Sequence, residues 1–291
     1  MEFLTALLLG VVQGITEFLP VSSTGHLVFL EQLFGFQTPA TLFHAFVHLG
    51  SAAAVILAFR KDVIRLLMES GRILDGALKN CGIFFRSVRK GVDPDYTKAV
   101  RTNFRRLAQM IAAATVPTAL VGVFFSITAS GSMSRLVFAG VGFLLTGVIL
   151  LVSSMLKPKN EMPKDIPMNR MFLIGFAQGF SVFPGISRFA VTMCGGILSG
   201  FGKKTALRVS FLLFIPAAIG SFIFEVIRAG AGGQFTPTVL MMCLTGMIAS
   251  AVVGFIFIRQ TLRFVQTRSL QGFAYYAFFA GIVAVTAGFL L

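Results

Sequence analysis

The stretch Gln13–His26, QGITEFLPVSSTGH, interrupts an otherwise apolar N-terminal segment with an acid, three consecutive hydroxyl residues and a histidine. Pro20 lies near the middle of the apolar segment 1–35, where it disfavours helix at the preceding residue and cannot continue the helical hydrogen-bond ladder. We therefore predict a helix, a turn and a second short helix, which together form a re-entrant hairpin. Such irregular backbone is tolerated at membrane depth only where it is buried in protein or lines a wet cavity.

A second segment, 171–202, repeats this pattern, because Pro184 and Gly185 break it near its middle. The two segments align without gaps, GVVQGITEFLPVSS from Gly10 against GFAQGFSVFPGISR from Gly175, with five identical positions. Two half-helix hairpins that meet near the midplane are a recurring way to build a site inside a membrane. The alignment therefore predicts an internal repeat with one hairpin in each half.

The rest of the chain is too apolar for a soluble domain. Of its 291 residues, 56% are hydrophobic and 12% are charged, about half the charged fraction of soluble domains. Six further segments are long enough to cross a bilayer, and lipid leaves the backbone of such segments no alternative to helix. We predict an all-α polytopic membrane protein with six transmembrane helices plus two re-entrant helical hairpins. The spans are Thr41–Phe59, Leu107–Ala129, Leu136–Leu156, Leu207–Ile227, Pro237–Ile258 and Gly272–Leu291.

The basic residues predict the orientation of these helices. If the N-terminus is outside, the inside loops are 60–106, 157–170, 202–208 and 259–270, and they hold 22 of the 25 Lys and Arg residues. The net charge of +14 is then a topological signal, so we expect no nucleic-acid partner. The loop 60–106 begins with the amphipathic stretch KDVIRLLMESGRIL, which we expect to contact anionic membrane lipids.

This orientation makes the two halves an inverted-topology repeat. Each half is one hairpin followed by three spans, and three is odd, so the second half is upside down. We describe the chain as one membrane domain, 1–291. Repeat one is 1–156, with its hairpin at 1–35 and the cytoplasmic loop 60–106, and repeat two is 171–291, with its hairpin at 171–202.

The first hairpin carries residues typical of a reaction centre. Gln13 and Glu17 are four apart and share a helix face. An ionisable residue inside a membrane marks function by default. We predict that Glu17 holds a divalent cation or acts as a general base. The alternative is a carboxylate held by backbone amides at the hairpin tip.

Ser22, Ser23 and Thr24 follow the break and precede the helix that starts near His26. Capping explains one or two of these hydroxyls, and the N–H groups of a helix N-terminus suit a phosphate. We predict Ser23 as a nucleophile or an orienting donor and His26 as a proton shuttle. The alternative for His26 is a helix histidine in a purely structural hydrogen bond.

The second hairpin supplies PGISRFAVT at 184–192. Arg188 is its one basic residue, and a membrane-buried arginine needs an anion or a partner. Its planar fork fits phosphate, Ser187 is positioned to cap the next helix, and Thr192 shares a helix face with Arg188. The alternative is a structural Arg188–Glu17 salt bridge. Together the two hairpins predict phosphate-ester or anhydride hydrolysis of a water-insoluble substrate.

These motifs resemble those of the undecaprenyl pyrophosphate phosphatase family of the bacitracin-resistance type. The resemblance rests on QGITEFLPVSSTGH, on HLGS at 48–51 and on PGISRFAVT, and the length and span pattern extend it over essentially the whole chain. The family's (E/Q)xxxE motif maps to Gln13 and Glu17. Its PGxSRSxxT motif maps to Pro184, Gly185, Ser187, Arg188 and Thr192.

The resemblance implies dephosphorylation of the C55 isoprenyl pyrophosphate released in peptidoglycan synthesis, at the outer face of the bacterial plasma membrane. It implies a divalent cation, Mg²⁺ or Ca²⁺, with Gln13 and Glu17 as ligands. Serine, histidine and water remain alternatives as the attacking group, and a homodimer is left open. The implied roles are Glu17 as essential acid, Ser23 as nucleophile candidate, His26 as acid–base, Arg188 as phosphate clamp, and Ser22, Thr24, Gly185, Ser187 and Thr192 as phosphate-binding residues.

Two positions depart from the family pattern. Phe189 stands where the family has the serine after the arginine, and His44, four residues before His48, stands where family members often have an acid. A lost hydrogen bond to a charged group costs about 1.5 to 3 kcal/mol, which predicts an enzyme slower by about one to two decades. Two other hypotheses are an inactive lipid-binding paralogue, motivated by Phe189, and a lipid-phosphate transporter or flippase, motivated by the inverted repeat.

Overall fold

The computed structural model describes residues 2–36, 38–97, 100, 102–128 and 136–290. These ranges contain eleven α-helices, two short 3-10 helices and no strand. In chain order the α-helices are α1 (Glu2–Thr16), α2 (Ser23–Phe34), α3 (Ala40–Ala58), α4 (Arg60–Lys90), α5 (Asn103–Thr128), α6 (Leu136–Ser154), α7 (Met168–Gly179), α8 (Arg188–Leu198), α9 (Lys203–Ala231), α10 (Pro237–Thr267) and α11 (Gln271–Leu290).

Within the described ranges, six helices are long and apolar enough to cross a membrane, namely α3, α5, α6, α9, α10 and α11, which confirms all six predicted spans. Helix α10 continues past the predicted end at Ile258 to Thr267, because neither proline nor glycine interrupts 255–267. The predicted limits at Met1, Ala129 and Leu291 lie outside the described residues. The chain is therefore an all-α, multi-pass membrane protein.

The two predicted breaks lie in turns between short helices. Pro20 lies in the turn between α1 and α2, and Pro184 and Gly185 lie between α7 and α8. Phe18 and Val21 of the first turn are almost fully buried. The first turn therefore lies inside the protein, as irregular backbone at membrane depth requires.

Glycines bring α1 and α7 close to long helices. Helix α1 packs along α10, and α7 packs along α5. A Cβ on Gly10 would collide with the backbone of α10 at Gly246, and a Cβ on Gly175 would collide with the backbone of α5 at Ala114. Small residues allow such close helix contact in membrane proteins. The glycines that the sequence alignment pairs thus have matching roles.

The predicted cytoplasmic loop 60–106 is mostly the long helix α4. Its apolar residues Leu67, Leu74 and Leu78 are exposed, as expected for a helix that lies against a membrane surface. Glu69 fixes α4 to α5, because Arg105 Nε donates to its Oε2 at 2.7 Å. This hydrogen bond from Arg105 lowers the pKa of the Glu69 carboxyl.

Candidate active site

Four side chains from three parts of the chain meet around one small cavity. Glu17 is the first residue after α1, Ser23 begins α2, and Arg188 begins α8. His48 projects from the middle of α3. All four residues line the cavity. Two helix N-termini, with their free N–H groups, therefore adjoin the same space.

Glu17 is the centre of this group. Its side chain is buried, and Oε2 accepts hydrogen bonds from Gln13 Nε2 at 2.7 Å and from Ser23 Oγ at 2.5 Å. His48 Nε2 lies 3.4 Å from the same oxygen, and Arg188 Nη1 lies 3.8 Å from Oε1. Side chains, rather than the backbone amides of the hairpin tip, therefore hold this carboxylate, and the two helix–turn–helix segments meet at it.

His48 is the member of this group that the residue-level sequence argument missed. Its Nδ1–H donates to the backbone oxygen of His44 at 2.6 Å. In the neutral ring this hydrogen bond leaves a lone pair on Nε2, which faces Glu17. His48 belongs to the HLGS stretch that contributed to the family resemblance. Its distance from Glu17 along the chain, however, does not predict that the two side chains are in contact.

Arg188 is held with one N–H group unused. Its guanidinium lies over the ring of Phe214, 5.1 Å from the centroid, and Nε donates to Ser181 Oγ at 3.3 Å. Nη1 is buried and has no hydrogen-bond partner among the described residues. A buried N–H group of this kind needs an acceptor. An anion at the head of α8 would supply one.

Ser22 and Ser187 are helix caps. Ser22 Oγ accepts from Gly25 N at 3.4 Å at the start of α2, and Ser187 Oγ accepts from Ala190 N at 3.1 Å at the start of α8. The predicted cap at Ser187 is thereby confirmed. Thr24, the other hydroxyl of the triplet, lines the cavity. Unlike the hydroxyls of Ser22 and Ser187, the Thr24 hydroxyl does not cap a helix.

Gly185 and Thr192 brace the second turn. Gly185 has a φ of 86°, and its carbonyl accepts from Thr146 Oγ1 at 2.7 Å. Thr192 Oγ1 donates to the carbonyl of Arg188 at 2.9 Å and contacts Ser210 Oγ at 2.5 Å. The Gly185 carbonyl and the Thr192 hydroxyl thus have partners within the protein, and the phosphate-binding roles of both residues stay predictions.

His26 does not join the group around Glu17. Its Nδ1–H donates to the carbonyl of Ser22 at 2.7 Å, and Nε2 accepts from the hydroxyl of Tyr276 at 2.6 Å. The ring stacks on Tyr276 and contacts the edge of Phe143. Because both ring nitrogens are occupied on the side of α2 that faces α6 and α11, this geometry gives no support to the predicted proton shuttle.

Gln13 and Glu17 offer oxygen atoms suited to a hard cation. Gln13 Oε1 is fully buried and unpartnered within the described ranges, while its Nε2 is held by Glu17 and, at 3.4 Å, by Ser51 Oγ. Three or more His, Cys, Asp or Glu side chains placed for a metal do not occur together in the described residues. The predicted pair therefore fits Mg²⁺ or Ca²⁺ if phosphate oxygens complete the shell, which is the usual situation for Mg²⁺.

The two residues that depart from the family pattern, Phe189 and His44, have structural partners. Phe189 is buried and packs on Phe211, with ring centroids 5.1 Å apart. His44 Nε2 lies 2.9 Å from Glu31 Oε1. Since His48 Nε2 faces Glu17 instead, the two histidines have different partners and do not converge on one point.

A wider cavity of about 500 Å³ leads from this group to the end of the molecule where α2 ends and α3 begins. We call it the vestibule. Thr24, His48 and Arg188 lie at its inner end, and Glu31 and Arg228 line it further out. Its lining therefore mixes charged and apolar residues, and the charged ones suit a phosphate group and water.

Comparisons with known proteins place similar proteins along nearly the whole chain. A family model described as bacitracin resistance protein BacA matches residues 6–283. Undecaprenyl-diphosphatase of Desulforapulum autotrophicum is 36% identical over 293 residues, covering 100% of both chains. Undecaprenyl-diphosphatase of Methanosphaera stadtmanae is 33% identical, again over 100% of both chains, and that of Rubrobacter xylanophilus is 35% identical over 100% of this chain and 99% of the relative.

Proposed function

Because the chain belongs to the bacitracin resistance protein BacA family, we propose that it is an integral membrane undecaprenyl-diphosphatase. It hydrolyses undecaprenyl diphosphate to undecaprenyl phosphate and inorganic phosphate, and so recycles the carrier lipid of peptidoglycan synthesis. The observation that carries this function is the Ser23 hydroxyl, which donates to Glu17 beside an arginine with an unused buried N–H group. A nucleophile, a base and an anion clamp are thereby brought together.

The terminal phosphate binds between the starts of α2 and α8. Arg188 donates from Nη1, and the free N–H groups of both helix N-termini face the same cavity. The Thr24 hydroxyl donates from the α2 side. These donors also stabilise the charge that develops on the phosphoryl oxygens in the transition state.

Ser23 is the attacking group in the reaction that this geometry supports best. Glu17 Oε2 takes the hydroxyl proton, and Ser23 Oγ forms a bond to the terminal phosphorus. The bond from that phosphorus to the bridging oxygen breaks, and undecaprenyl phosphate leaves with the electron pair. Water then attacks phosphoserine with His48 Nε2 as proton acceptor, and Ser23 recovers its proton from Glu17.

Glu17 and Gln13 Oε1 would hold a divalent cation, Mg²⁺ or Ca²⁺, with phosphate oxygens completing its shell. When bound, it neutralises phosphate charge and so makes the terminal phosphorus easier to attack. The residues of the chain supply the nucleophile, the proton transfers and the anion clamp around it.

We also infer that α1–α2 and α7–α8 are re-entrant hairpins of an inverted repeat. Three paired features support this inference. Gly10 and Gly175 each meet the backbone of a long helix, Ser22 and Ser187 each cap the second helix of a pair, and the next residues, Ser23 and Arg188, both face the cavity.

The vestibule opens to the outer side of the plasma membrane in this arrangement, because the basic loops lie at the opposite end of the spans. The test is cysteine labelling of whole cells by a membrane-impermeant thiol reagent. Gln32→Cys in the vestibule should react in intact cells, and Lys61→Cys should react only after permeabilisation. The opposite labelling pattern would reject this orientation.

The reaction is tested by phosphate release from undecaprenyl diphosphate by the detergent-purified protein. We expect Ser23→Ala, Glu17→Gln and Arg188→Ala each to lower the rate by about 100-fold or more, while Ser154→Ala, a distant control, keeps the wild-type rate. Phosphoserine at Ser23 should appear after rapid acid quenching. If the wild type binds the lipid tightly but releases no phosphate, the proposed enzymatic activity is rejected.

A further inference from the structure

A second cavity meets the proposed active site from the side. It is a groove of about 160 Å³ between α5 and α9, and we call it the lateral groove. Ala119, Gly122 and Val123 line it on α5, and Ala217 and Gly220 line it on α9. Ala119, Val123 and Gly220 are exposed, so the groove is open along its side.

Two glycines border the open space of the lateral groove rather than bringing helices together. A Cβ on Gly122 or on Gly220 would meet no atom of the described residues within 4 Å. Both lie inside helices, where glycine is about 1 kcal/mol less favourable than alanine. Gly175 and Gly179, in contrast, lie where a Cβ would collide with α5. Neither close packing nor backbone conformation therefore accounts for Gly122 and Gly220.

Arg188, the proposed phosphate clamp, lies at the inner end of the groove. Arg188 lines the lateral groove as well as the vestibule. Gln178 lies beside it, 2% exposed, with an Oε1 that has no partner in the described part of the chain. Two polar groups with unmet hydrogen bonds thus mark this end as a place where a ligand's head lies. Pro216 also lines this end, and proline inside a helix favours a bend.

At its outer end the groove borders the vestibule, because Ser126 lines both cavities. Arg228 Nη1 of α9 donates to the carbonyl of Ser126 of α5 at 3.2 Å. The lining of α5 from Thr115 to Ser126 is about 16 Å of helix. That length is about half of the roughly 30 Å hydrocarbon core of a bilayer. The groove therefore extends over about one leaflet.

We propose that the lateral groove holds the isoprenoid tail of the lipid substrate, with Gly122 and Gly220 as the residues that set its width; this inference rests on the proposed function. A phosphate bound at Arg188 has two exits for the attached chain. The vestibule carries Glu31, Glu225 and Arg228 among apolar residues, and these charges make it less favourable for an apolar chain than the groove. The groove is mostly apolar and laterally open, so the tail lies there while inorganic phosphate leaves through the vestibule.

The first test compares substrates that differ in tail length. Gly122→Leu and Gly220→Leu fill the groove, and Gly71→Leu, an open helical glycine of α4, is the matched control. We measure kcat/KM for farnesyl and isopentenyl diphosphate. The farnesyl preference should fall at least about tenfold in the groove variants and stay unchanged in the control, because each buried CH₂ is worth roughly a factor of four in affinity.

A second measurement keeps the test decisive if the short substrate reacts too slowly. A farnesyl diphosphate analogue with a photoreactive group on its tail is cross-linked to the wild-type protein, and the labelled peptides are identified by mass spectrometry. Labels on α5 and α9 support the groove. Hydrolysis together with an unchanged preference in the leucine variants, or labels confined to the vestibule, would overturn it. Failure of the wild type to hydrolyse any of these diphosphates would instead contradict the proposed function.

Discussion

Ser23 donates to Glu17 Oε2 across 2.5 Å, although the two residues belong to opposite sides of the first turn. Six positions separate them, a spacing at which residues of one continuous helix do not face each other. The break at Pro20 removes that restriction, because α1 ends before it and a new helix, α2, begins at Ser23. The acid–hydroxyl pair exists because the helix is interrupted.

Phe189→Ser should raise the turnover rate by about tenfold or more. The new hydroxyl lies directly after Arg188 and can donate to the bound phosphate, a hydrogen bond to a charged group worth about 1.5 to 3 kcal/mol. The measurement is the rate of phosphate release at saturating undecaprenyl diphosphate.

The same substitution should lower stability, because Phe189 packs on Phe211 and its removal leaves a cavity that costs about 3 kcal/mol. Phe211→Ser is the matched control, since it opens a cavity without adding a hydroxyl next to Arg188. A rate in Phe189→Ser at or below that of the wild type, measured on folded protein, would refute the predicted gain.

His48→Gln and His26→Gln should behave differently. His48 Nε2 faces Glu17, so its loss should lower kcat by about 10² or more, in the range of general acid–base effects. His26 joins α2 to Tyr276 of α11, so its loss should lower Tm and leave kcat within a few-fold. Stopped assays and thermal unfolding of both variants decide the point. A larger kcat loss in His26→Gln would restore the sequence-based assignment.

Gln13→Glu should lower the Mg²⁺ concentration needed for half-maximal activity by about tenfold, because affinity for such cations rises with the charge of the ligands. The substitution converts the buried Oε1 acceptor into part of a second carboxylate, four residues before Glu17. The measurement is activity against Mg²⁺ concentration after EDTA treatment, which should itself abolish phosphate release. Gln109→Glu, away from the cavity, should leave the curve where it is; an unchanged curve in Gln13→Glu would remove Gln13 from the cation site.

Glu69→Gln should make the thermal stability less dependent on pH. Arg105 holds the pKa of the Glu69 carboxyl below its usual value, so the stabilisation is fully present above the unfolded-state pKa of about 4.3. It is lost as the pH falls through the lower pKa of the folded state. The Tm difference between wild type and variant should therefore shrink as the pH falls below about 4. Asp75→Asn, which breaks the exposed pair with Lys79, should show no such trend.

The sequence by itself determined the six spans, both helix breaks and three of the four residues in the group around Glu17. These features depend on local physics. Lipid forces apolar segments into helix, proline interrupts the hydrogen-bond ladder, and a charged residue in an apolar segment stands out wherever it lies. Glu17, Ser23 and Arg188 could therefore be identified from their immediate neighbours in the chain.

The tertiary structure alone decided which histidine joins them. His26 and His48 are similar as sequence, since each lies in an apolar helix near hydroxyl residues. Which face of a helix meets which neighbour depends on how α2, α3 and α11 pack. A local sequence pattern does not predict how each helix is rotated about its own axis. The same holds for Thr192, which Ser210 engages, and for Gly122 and Gly220, whose open space exists only between two helices that are distant in the chain.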